Sequence, residues 1–136
     1  MRIRDMYTPG TKGISFEIFP PKTDKGLQNL FATTAQLAKL NPCFVSGTYG
    51  AGGTTRDKTL EMLNVVRSRF EVPVTAHFTT VGSTVDEMRD WLRHATLLGI
   101  ENIMALRGDP PVGQTEFTAT PGGLRYASEL VRLIKT

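Results

Sequence analysis

The sequence is poor in the residues that build disulfide frameworks and zinc centres. It contains one cysteine, Cys43, and two histidines, His77 and His94. A single cysteine excludes a disulfide within the chain and is typical of a reducing compartment. One cysteine and two histidines also speak against a zinc site. We therefore expect a cytoplasmic protein without a resident metal.

Long hydrophobic runs and long runs of one charge are also missing. No apolar stretch approaches the ~20 residues of a membrane span, and the first thirteen residues, MRIRDMYTPGTKG, lack the apolar core of a secretory signal. Sixteen Lys and Arg are scattered among thirteen Asp and Glu, which gives a net charge of +3 without a basic run of five or more. This pattern is typical of a mixed-charge surface, so we expect neither a membrane nor a nucleic-acid partner.

What the sequence does contain is a fourfold alternation of strand-like and helix-like segments. The predicted strands lie in GISFEIF, CFVSGTY, PVTAHFTTV and NIMALRG, and the predicted helices in TDKGLQNLFATTAQLAKL, RDKTLEMLNVVRSRF, STVDEMRDWLRHATLLG and LRYASELVRLIK. Thr84 and Glu87 have capping-box spacing at the third helix, and Leu124, Ala127, Val131 and Ile134 form an apolar stripe on the fourth. Strands that alternate with helices predict an α/β fold with a parallel sheet.

Two architectures fit this alternation, an open doubly wound sheet and a (β/α)8 barrel. Each predicted strand carries one face with a polar group, whereas a sheet covered by helices on both sides should be apolar on both faces. A barrel accepts polar groups that face a ligand at its top. A full barrel needs eight units in about 250 residues, so the sequence predicts the parallel (βα)4 half of a TIM-type barrel over residues 14–136, after an N-terminal extension of residues 1–13.

The polar positions near the strand ends are the candidate site: Glu17, Thr48, His77, Arg107 and Asp109. Glu17 lies in an apolar stretch, and a buried carboxyl has a raised pKa that suits a general acid. His77 shares a face with two threonines and suits an acid, a base or a hydrogen-bond donor. Arg107 could donate charge-assisted hydrogen bonds to an anion such as phosphate. Asp109 could face a heterocycle as a hydrogen-bond acceptor or a local negative charge.

Structural roles remain open for each of these positions. Glu17 also fits a surface or salt-bridged residue, His77 a satisfied structural histidine, and Arg107 and Asp109 an ion pair with each other. The glycine loop YGAGGTT precedes a helix and can cradle phosphate, but it also fits a plain turn.

Four motifs taken together, in their order, resemble the methylenetetrahydrofolate reductase family: SFEIFPPKT, FVSGTYGAGGTTRDKT, AHFTTVG and GIENIMALRGDPP. The resemblance runs from about Gly13 to the end of the chain. It implies a (β/α)8 barrel that holds FAD and reduces 5,10-methylenetetrahydrofolate to 5-methyltetrahydrofolate with electrons from NADH or NADPH. It also implies a place in one-carbon metabolism and methionine biosynthesis.

The resemblance assigns roles to particular residues. Glu17 matches the general acid that aids opening of the imidazolidine ring of the folate, and Asp109 matches an aspartate near the flavin and the pterin. Positions around the flavin and the nicotinamide are matched by Thr48, Tyr49 and Ala51. The matches to FAD contacts are His77, Arg107, Gly108, Tyr126 and Ala127.

The resemblance also implies that further contacts to FAD, folate and nicotinamide come from a second half of the barrel. We therefore expect a folate substrate and either a homo-oligomer or a missing C-terminal half-barrel as partner. The alternatives are a non-catalytic half-barrel and a flavin-free relative. Gly47 departs from the branched residue that the family commonly has, which is expected to loosen the second strand by ~0.5–1 kcal/mol.

Overall fold

Four parallel strands alternate with four helices, as the sequence predicts. The computed structural model describes residues 1–49, 56–110 and 113–136. Its elements are a short 3-10 helix (Ile3–Asp5), β1 (Ser15–Ile18), α1 (Asp24–Ala38), β2 (Phe44–Gly47), α2 (Arg56–Phe70), β3 (Val74–Thr79), α3 (Val85–Leu97), β4 (Asn102–Leu106) and α4 (Ala127–Lys135). The strands form one sheet in the order β1-β2-β3-β4, which confirms the (βα)4 half of a TIM-type barrel. Within the described ranges no helix is long and apolar enough to cross a membrane.

The register of the strands divides the sheet into two chemically different faces. Paired residues in neighbouring parallel strands share a face, because side chains alternate along each strand. Glu17, Ser46 and Thr75 form one such row, and the next row on the same face pairs His77 with Met104. We call this the open face; it comprises Ser15, Glu17, Phe44, Ser46, Thr75, His77, Thr79, Asn102, Met104 and Leu106.

The opposite face, which we call the helix face, carries the hydrophobic core. Phe78 of β3 stacks on Trp91 of α3 with ring centroids 3.9 Å apart. From α2, Leu60, Leu63 and Val66 are fully buried. Burial of each such side chain stabilises the fold by ~1.5–3 kcal/mol, so the helix face fixes the position of the sheet.

Gly47 owes its place in β2 to the packing of α2. A Cβ on this residue would lie 2.9 Å from the Leu63 side chain, closer than atoms in normal contact. This contact is a packing reason for glycine at position 47, whereas the expected loosening of β2 remains a prediction. Gly47 lets Leu63 approach the sheet backbone.

The apolar side of α4 differs from the predicted stripe. Leu130 is fully buried, whereas Val131 is 41% exposed. Leu133 and Ile134 pack against the core. The predicted apolar stripe was therefore wrong at Val131, and Leu130, which it did not include, occupies the buried side of α4.

The N-terminal segment crosses the amino ends of the strands. The backbone N–H of Ile3 donates to Asn102 Oδ1 over 2.9 Å, and Asn102 Nδ2 donates to the Met1 carbonyl over 3.0 Å. The terminal ammonium of Met1 pairs with Glu101. Met1 and Ile3 are thus tied to the end of the sheet that lies opposite the candidate site.

The long connection between β4 and α4 is fastened to the start of α3. Thr84 caps α3 in the predicted capping box, with its Oγ1 accepting from the Glu87 N–H and its own N–H donating to Glu87 Oε2. The same residue forms an isolated antiparallel bridge with Gly123. A Cβ on Gly123 would lie 2.3 Å from the Ser83 carbonyl oxygen. Only glycine permits this approach, which holds the loop over the carboxyl end of β3.

Replacing Gly47 by alanine should destabilise the protein through overpacking against Leu63. The expected loss in the free energy of unfolding is about 1–3 kcal/mol, measured by urea denaturation. In a Leu63→Ala background the same replacement should cost much less, because the obstructing methyl groups are gone. An equal cost in both backgrounds would show that packing against Leu63 is not the reason for glycine.

Candidate active site

Glu17 and His77 form a pair on the open face. Glu17 Oε2 lies 3.5 Å from His77 Nε2. The two residues come from β1 and β3 and meet across β2, because Glu17 pairs with Ser46 and Ser46 pairs with Thr75, two residues before His77. The register alone therefore brings together a carboxylate and an imidazole that are sixty positions apart in the sequence.

The imidazole is buried, and its pKa reflects that burial. Withdrawal from water lowers the pKa of His77 from its ordinary value of 6.5, and the neighbouring Glu17 carboxylate raises it by a smaller amount. The net direction is down, because burial disfavours the charged form more than the carboxylate favours it. His77 is consequently neutral at pH 7 and offers one donor and one acceptor nitrogen.

Two polar atoms of this face are buried without a hydrogen-bond partner among the described residues. They are Thr75 Oγ1 and His77 Nε2, which lies 3.5 Å from Glu17 Oε2 without forming a hydrogen bond to it. Burying an unpaired polar atom costs about 1–3 kcal/mol, so such atoms are unusual in a finished core. Both lie on the same face of β3, which suits a planar polar heterocycle lying against the sheet. The residues present therefore fit a flavin ring.

Glu17 differs from its predicted environment. Its side chain is 48% exposed, so the expectation of a buried carboxyl was wrong for this chain. The apolar neighbours in sequence, Phe16 and Ile18, point to the helix face, while Glu17 points to the open face. Alternation along the strand separates the carboxylate from the apolar residues on either side of it.

Arg107 does not continue the polar face of the sheet. Strand alternation groups it with Ile103 and Ala105, and these residues pair with Ala76 and Phe78 on the helix face. The open face of β4 instead carries Met104 and Leu106, which are 39% and 37% exposed. The predicted polar face is thus present in β1, β2 and β3, but in β4 it is apolar beyond Asn102.

Arg107 and Asp109 flank Gly108 in the turn after β4. Gly108 adopts φ +89°, and a Cβ there would lie 2.6 Å from Val81 Cγ2, so the backbone packs closely on the end of β3. Among the described residues Arg107 and Asp109 form no ion pair with each other. The Arg107 guanidinium lies 5.1 Å from the centre of the Phe117 ring, and Asp109 is exposed.

The predicted contacts after β2 are only partly described. Thr48 continues the sheet hydrogen bonds, because its N–H donates to the Ile18 carbonyl over 3.0 Å. Tyr49 turns toward the helix face, with its ring edge-on to Phe78 at 5.8 Å. Its side chain therefore does not join the Glu17–His77 pair. Ala51 and most of the glycine loop lie outside the described residues.

Tyr126 and Ala127 lie at the start of α4. Tyr126 is 53% exposed, and Ala127 is half-buried. A cleft of about 500 Å³ contains Arg107, Phe117, Arg125 and Tyr126 on its walls; we call it the β4–α4 cleft. Among the described residues, Glu17 and His77 thus lie on the open face, whereas Arg107 and Tyr126 lie on the walls of this cleft.

Three residues of the site were missed by the sequence reasoning as individual candidates: Thr75, Phe117 and Arg125. Thr75 was noted only as a neighbour of His77, and its orphaned hydroxyl becomes visible only when the burial is known. Phe117 and Arg125 lie in or next to a loop without periodicity. The available signal was the arginine immediately before Tyr126, a second cation beside a predicted cofactor contact.

Acidification should destabilise the folded protein through His77. Because burial lowers the pKa of His77, the folded state binds this proton more weakly than the unfolded chain. The contribution of His77 to the free energy of unfolding is complete above pH 6.5. It is lost as the pH falls from 6.5 through the lower pKa that His77 has in the folded state. Between about pH 8 and pH 5, His77→Gln should show a shallower decline in the free energy of unfolding, by up to ~1.4 kcal/mol per pH unit. Identical pH profiles would contradict the assignment.

Neutralising Glu17 should lower the pKa of His77 further. The Glu17 carboxylate is the group that raises this pKa, so Glu17→Gln leaves only the effect of burial. An NMR titration of the His77 ring measures the change directly. The control is Glu61→Gln, the same chemical change on an exposed position of α2, which should leave the His77 titration unaltered. An unchanged or raised pKa of His77 in Glu17→Gln would contradict the interaction between the two side chains.

Comparison with known proteins places the chain in a family. The sequence model of the family described as methylenetetrahydrofolate reductase matches residues 2–136. A probable methylenetetrahydrofolate reductase (NADH) of Oryza sativa subsp. japonica is 40% identical over 134 residues, which is 98% of this chain and 23% of the relative. Methylenetetrahydrofolate reductase 1 of Schizosaccharomyces pombe is 42% identical over 90% of this chain and 20% of the relative.

A bacterial relative gives the same result. The 5,10-methylenetetrahydrofolate reductase of Escherichia coli K12 is 38% identical over 126 residues, 93% of this chain and 40% of the relative. The chain thus spans between a fifth and two-fifths of the length of these curated relatives. With a family match over nearly its whole length and the parallel (βα)4 sheet beneath it, the chain belongs to the methylenetetrahydrofolate reductase family.

Proposed function

We propose that this chain supplies the N-terminal half of a site that reduces 5,10-methylenetetrahydrofolate to 5-methyltetrahydrofolate. FAD is the proposed cofactor, and NADH or NADPH is the proposed electron donor. The observation that carries the proposal is the Glu17–His77 pair on the open face. It sets a carboxyl able to transfer a proton beside an imidazole and a hydroxyl that both have unused hydrogen-bonding capacity.

In the proposed reaction Glu17 is the general acid. Its carboxyl delivers a proton to the folate nitrogen that leaves carbon when the imidazolidine ring opens to the iminium ion. Exposure of its side chain on the open face gives a substrate access to it.

The remaining predicted residues bind and orient. FAD, when bound, supplies the hydride chemistry between the nicotinamide and the folate. His77 and Thr75 would hydrogen-bond the ring system, and Arg107 would hold an anionic part of the cofactor. Asp109 is exposed beyond β4 and would contact the flavin and the pterin. Further proposed contacts are Thr48, Tyr49, Ala51, Gly108, Tyr126 and Ala127.

The proposal includes a partner for the open face. The relatives are longer than this chain, and a complete barrel has eight strand-helix units. The division into an extension of residues 1–13 and a half-barrel of residues 14–136 remains a prediction. So do the completion of the barrel by a C-terminal half or by another chain, and a cytoplasmic location.

A second candidate is a half-barrel that binds flavin only after its open face is covered. Met104 and Leu106 favour it, because they are apolar and exposed on that face. In a finished barrel these side chains would lie against the strands of the other half. This candidate has the same family and fold as the first proposal. The two differ only in whether the 136 residues bind flavin without a partner.

The visible absorption spectrum tests the proposal. The chain is mixed with FAD, the excess is removed, and the retained flavin band is measured. We expect retention by the wild type and by Glu17→Gln, and at least tenfold weaker binding by Arg107→Ala, since a charge-assisted hydrogen bond contributes about 1.5–3 kcal/mol. Arg132→Ala, an exposed arginine of α4, is the matched control.

The outcomes separate the two candidates. Flavin retained by the wild type and the control but weakened in Arg107→Ala supports the proposed cofactor site. A colourless wild-type chain would instead favour the half-barrel that needs its open face covered. Equal retention by all variants would exclude Arg107 from the site.

A further inference from the structure

Thr80, the first residue after β3, hydrogen-bonds the backbone at the point where β4 leaves the sheet. Thr80 is fully buried. Its Oγ1 donates to the Arg107 carbonyl over 3.0 Å, and its N–H is shared between the Leu106 and Arg107 carbonyls, 3.2 Å from each. The side chain and the backbone of the same residue therefore hold the Arg107 carbonyl.

Sheet pairing alone does not orient this peptide. The pairing of β3 with β4 ends at Thr79 and Leu106, so the Arg107 carbonyl already belongs to the turn that follows. Gly108 then adopts φ +89°, a backbone conformation that suits glycine, and it packs closely on the end of β3. Among the described residues, Thr80 is the donor that connects the end of the sheet to this turn.

The side chain of Arg107 takes its direction from the same turn. Its Nε donates to the Gly108 carbonyl over 3.3 Å, and its guanidinium lies 5.1 Å from the centre of the Phe117 ring. Because the peptide between Arg107 and Gly108 is planar, rotating its carbonyl away from Thr80 turns Gly108 as well and moves the acceptor of Nε. Asp109 follows directly and would turn with it. The orientation of one carbonyl thus governs both side chains.

We propose that Thr80 is a positioning residue whose hydroxyl fixes the peptide after Arg107 and, through it, the directions of Arg107 and Asp109. A β-branched side chain has few rotamers, so the hydroxyl is already placed for this hydrogen bond. The inference about the turn rests on the hydrogen bonds. Its consequence for cofactor binding rests on the proposed function, which assigns Arg107 and Asp109 to the flavin site.

Three variants of the whole chain separate positioning from stability. Thr80→Val keeps the shape of the side chain and removes the donor, whereas Thr80→Ser keeps the donor. The matched control is Thr34→Val, because Thr34 is also buried and its Oγ1 donates to the Leu30 carbonyl of α1 over 2.8 Å. Both valine variants lose a buried hydrogen bond to a backbone carbonyl and should lose similar free energy of unfolding. Only Thr80→Val changes the turn after β4.

The first readout is the NMR shift that the Phe117 ring current gives to the side-chain protons of Arg107, measured without ligand. In Thr80→Val we expect this shift to be largely lost, because Arg107 is no longer directed at the ring. Thr80→Ser and Thr34→Val should keep the wild-type shift. An unchanged shift in Thr80→Val, or an equal loss in Thr34→Val, would overturn the proposal.

The second readout is the affinity for FAD, measured by flavin fluorescence. We expect Thr80→Val to weaken binding about fivefold, as loss of one neutral hydrogen bond predicts, and Thr80→Ser to stay within about twofold of the wild type. Thr34→Val should bind like the wild type. In an Arg107→Ala background, Thr80→Val should cost less affinity, because part of its effect acts through that side chain. The same cost in both backgrounds would overturn the link to Arg107.

The two readouts distinguish failure of this inference from failure of the proposed function. A lost ring-current shift in Thr80→Val, with no FAD bound by the wild type, would support the positioning role and count against a flavin site in this chain. FAD bound equally by the wild type and both Thr80 variants would support the flavin site and overturn the inference. If Thr80→Val does not fold, the hydroxyl proton of wild-type Thr80 decides. Slow exchange of this proton with water supports the hydrogen bond to Arg107, and rapid exchange overturns it.

Discussion

The parallel register of the four strands is the constraint on which the rest of this structure depends. Pairing Glu17 with Ser46 and Ser46 with Thr75 decides which side chains share a face. A shift of one residue in any strand would exchange its two faces and send its polar groups into the core. The apolar helix face resists such a shift, because Phe78 is stacked on Trp91 and because Leu63 fits against Gly47. Core packing therefore fixes the site on the other side of the sheet.

The same arrangement explains the state of His77. Its neighbours on β2 and β4 bury the imidazole, while the carboxylate of Glu17 remains partly in water. Burial then outweighs the attraction of the carboxylate, and the pKa of His77 falls. A neutral imidazole and an accessible carboxyl are thus consequences of position in one sheet, where the centre is shielded and the edge is not.

The turns at the carboxyl ends of the strands link this sheet to the β4–α4 cleft. Gly108 permits close packing on the end of β3, and Gly123 permits close packing on the turn before α3. These contacts bring the loop of residues 113–126 back over the strand ends, where it places Phe117 and Tyr126 beside two arginines. Polar groups of the sheet and cationic groups of the loop therefore meet at the same end of the strands, where ligands of parallel α/β folds bind.

Local patterns in the sequence were enough to predict the strands and helices, the parallel sheet, the capping box at Thr84 and the candidate residues Glu17 and His77. Those features depend on neighbours within a few positions or on alternation along one strand. The prediction failed where long-range geometry decides. Val131 fits the period of α4 but lies on its outer side, and Arg107 has the parity of the helix face.

The sequence by itself determined the alternation of elements and which residue types stand at each strand end, because these are local properties of the chain. Only the tertiary structure decided that Glu17 meets His77 across β2, that Tyr49 turns into the core, and that Arg125 joins Arg107. Such contacts join residues far apart in the chain, and their distances follow from register, from the rotation of helices and from the path of a loop. None of these three quantities can be predicted from the spacing of residues along one segment.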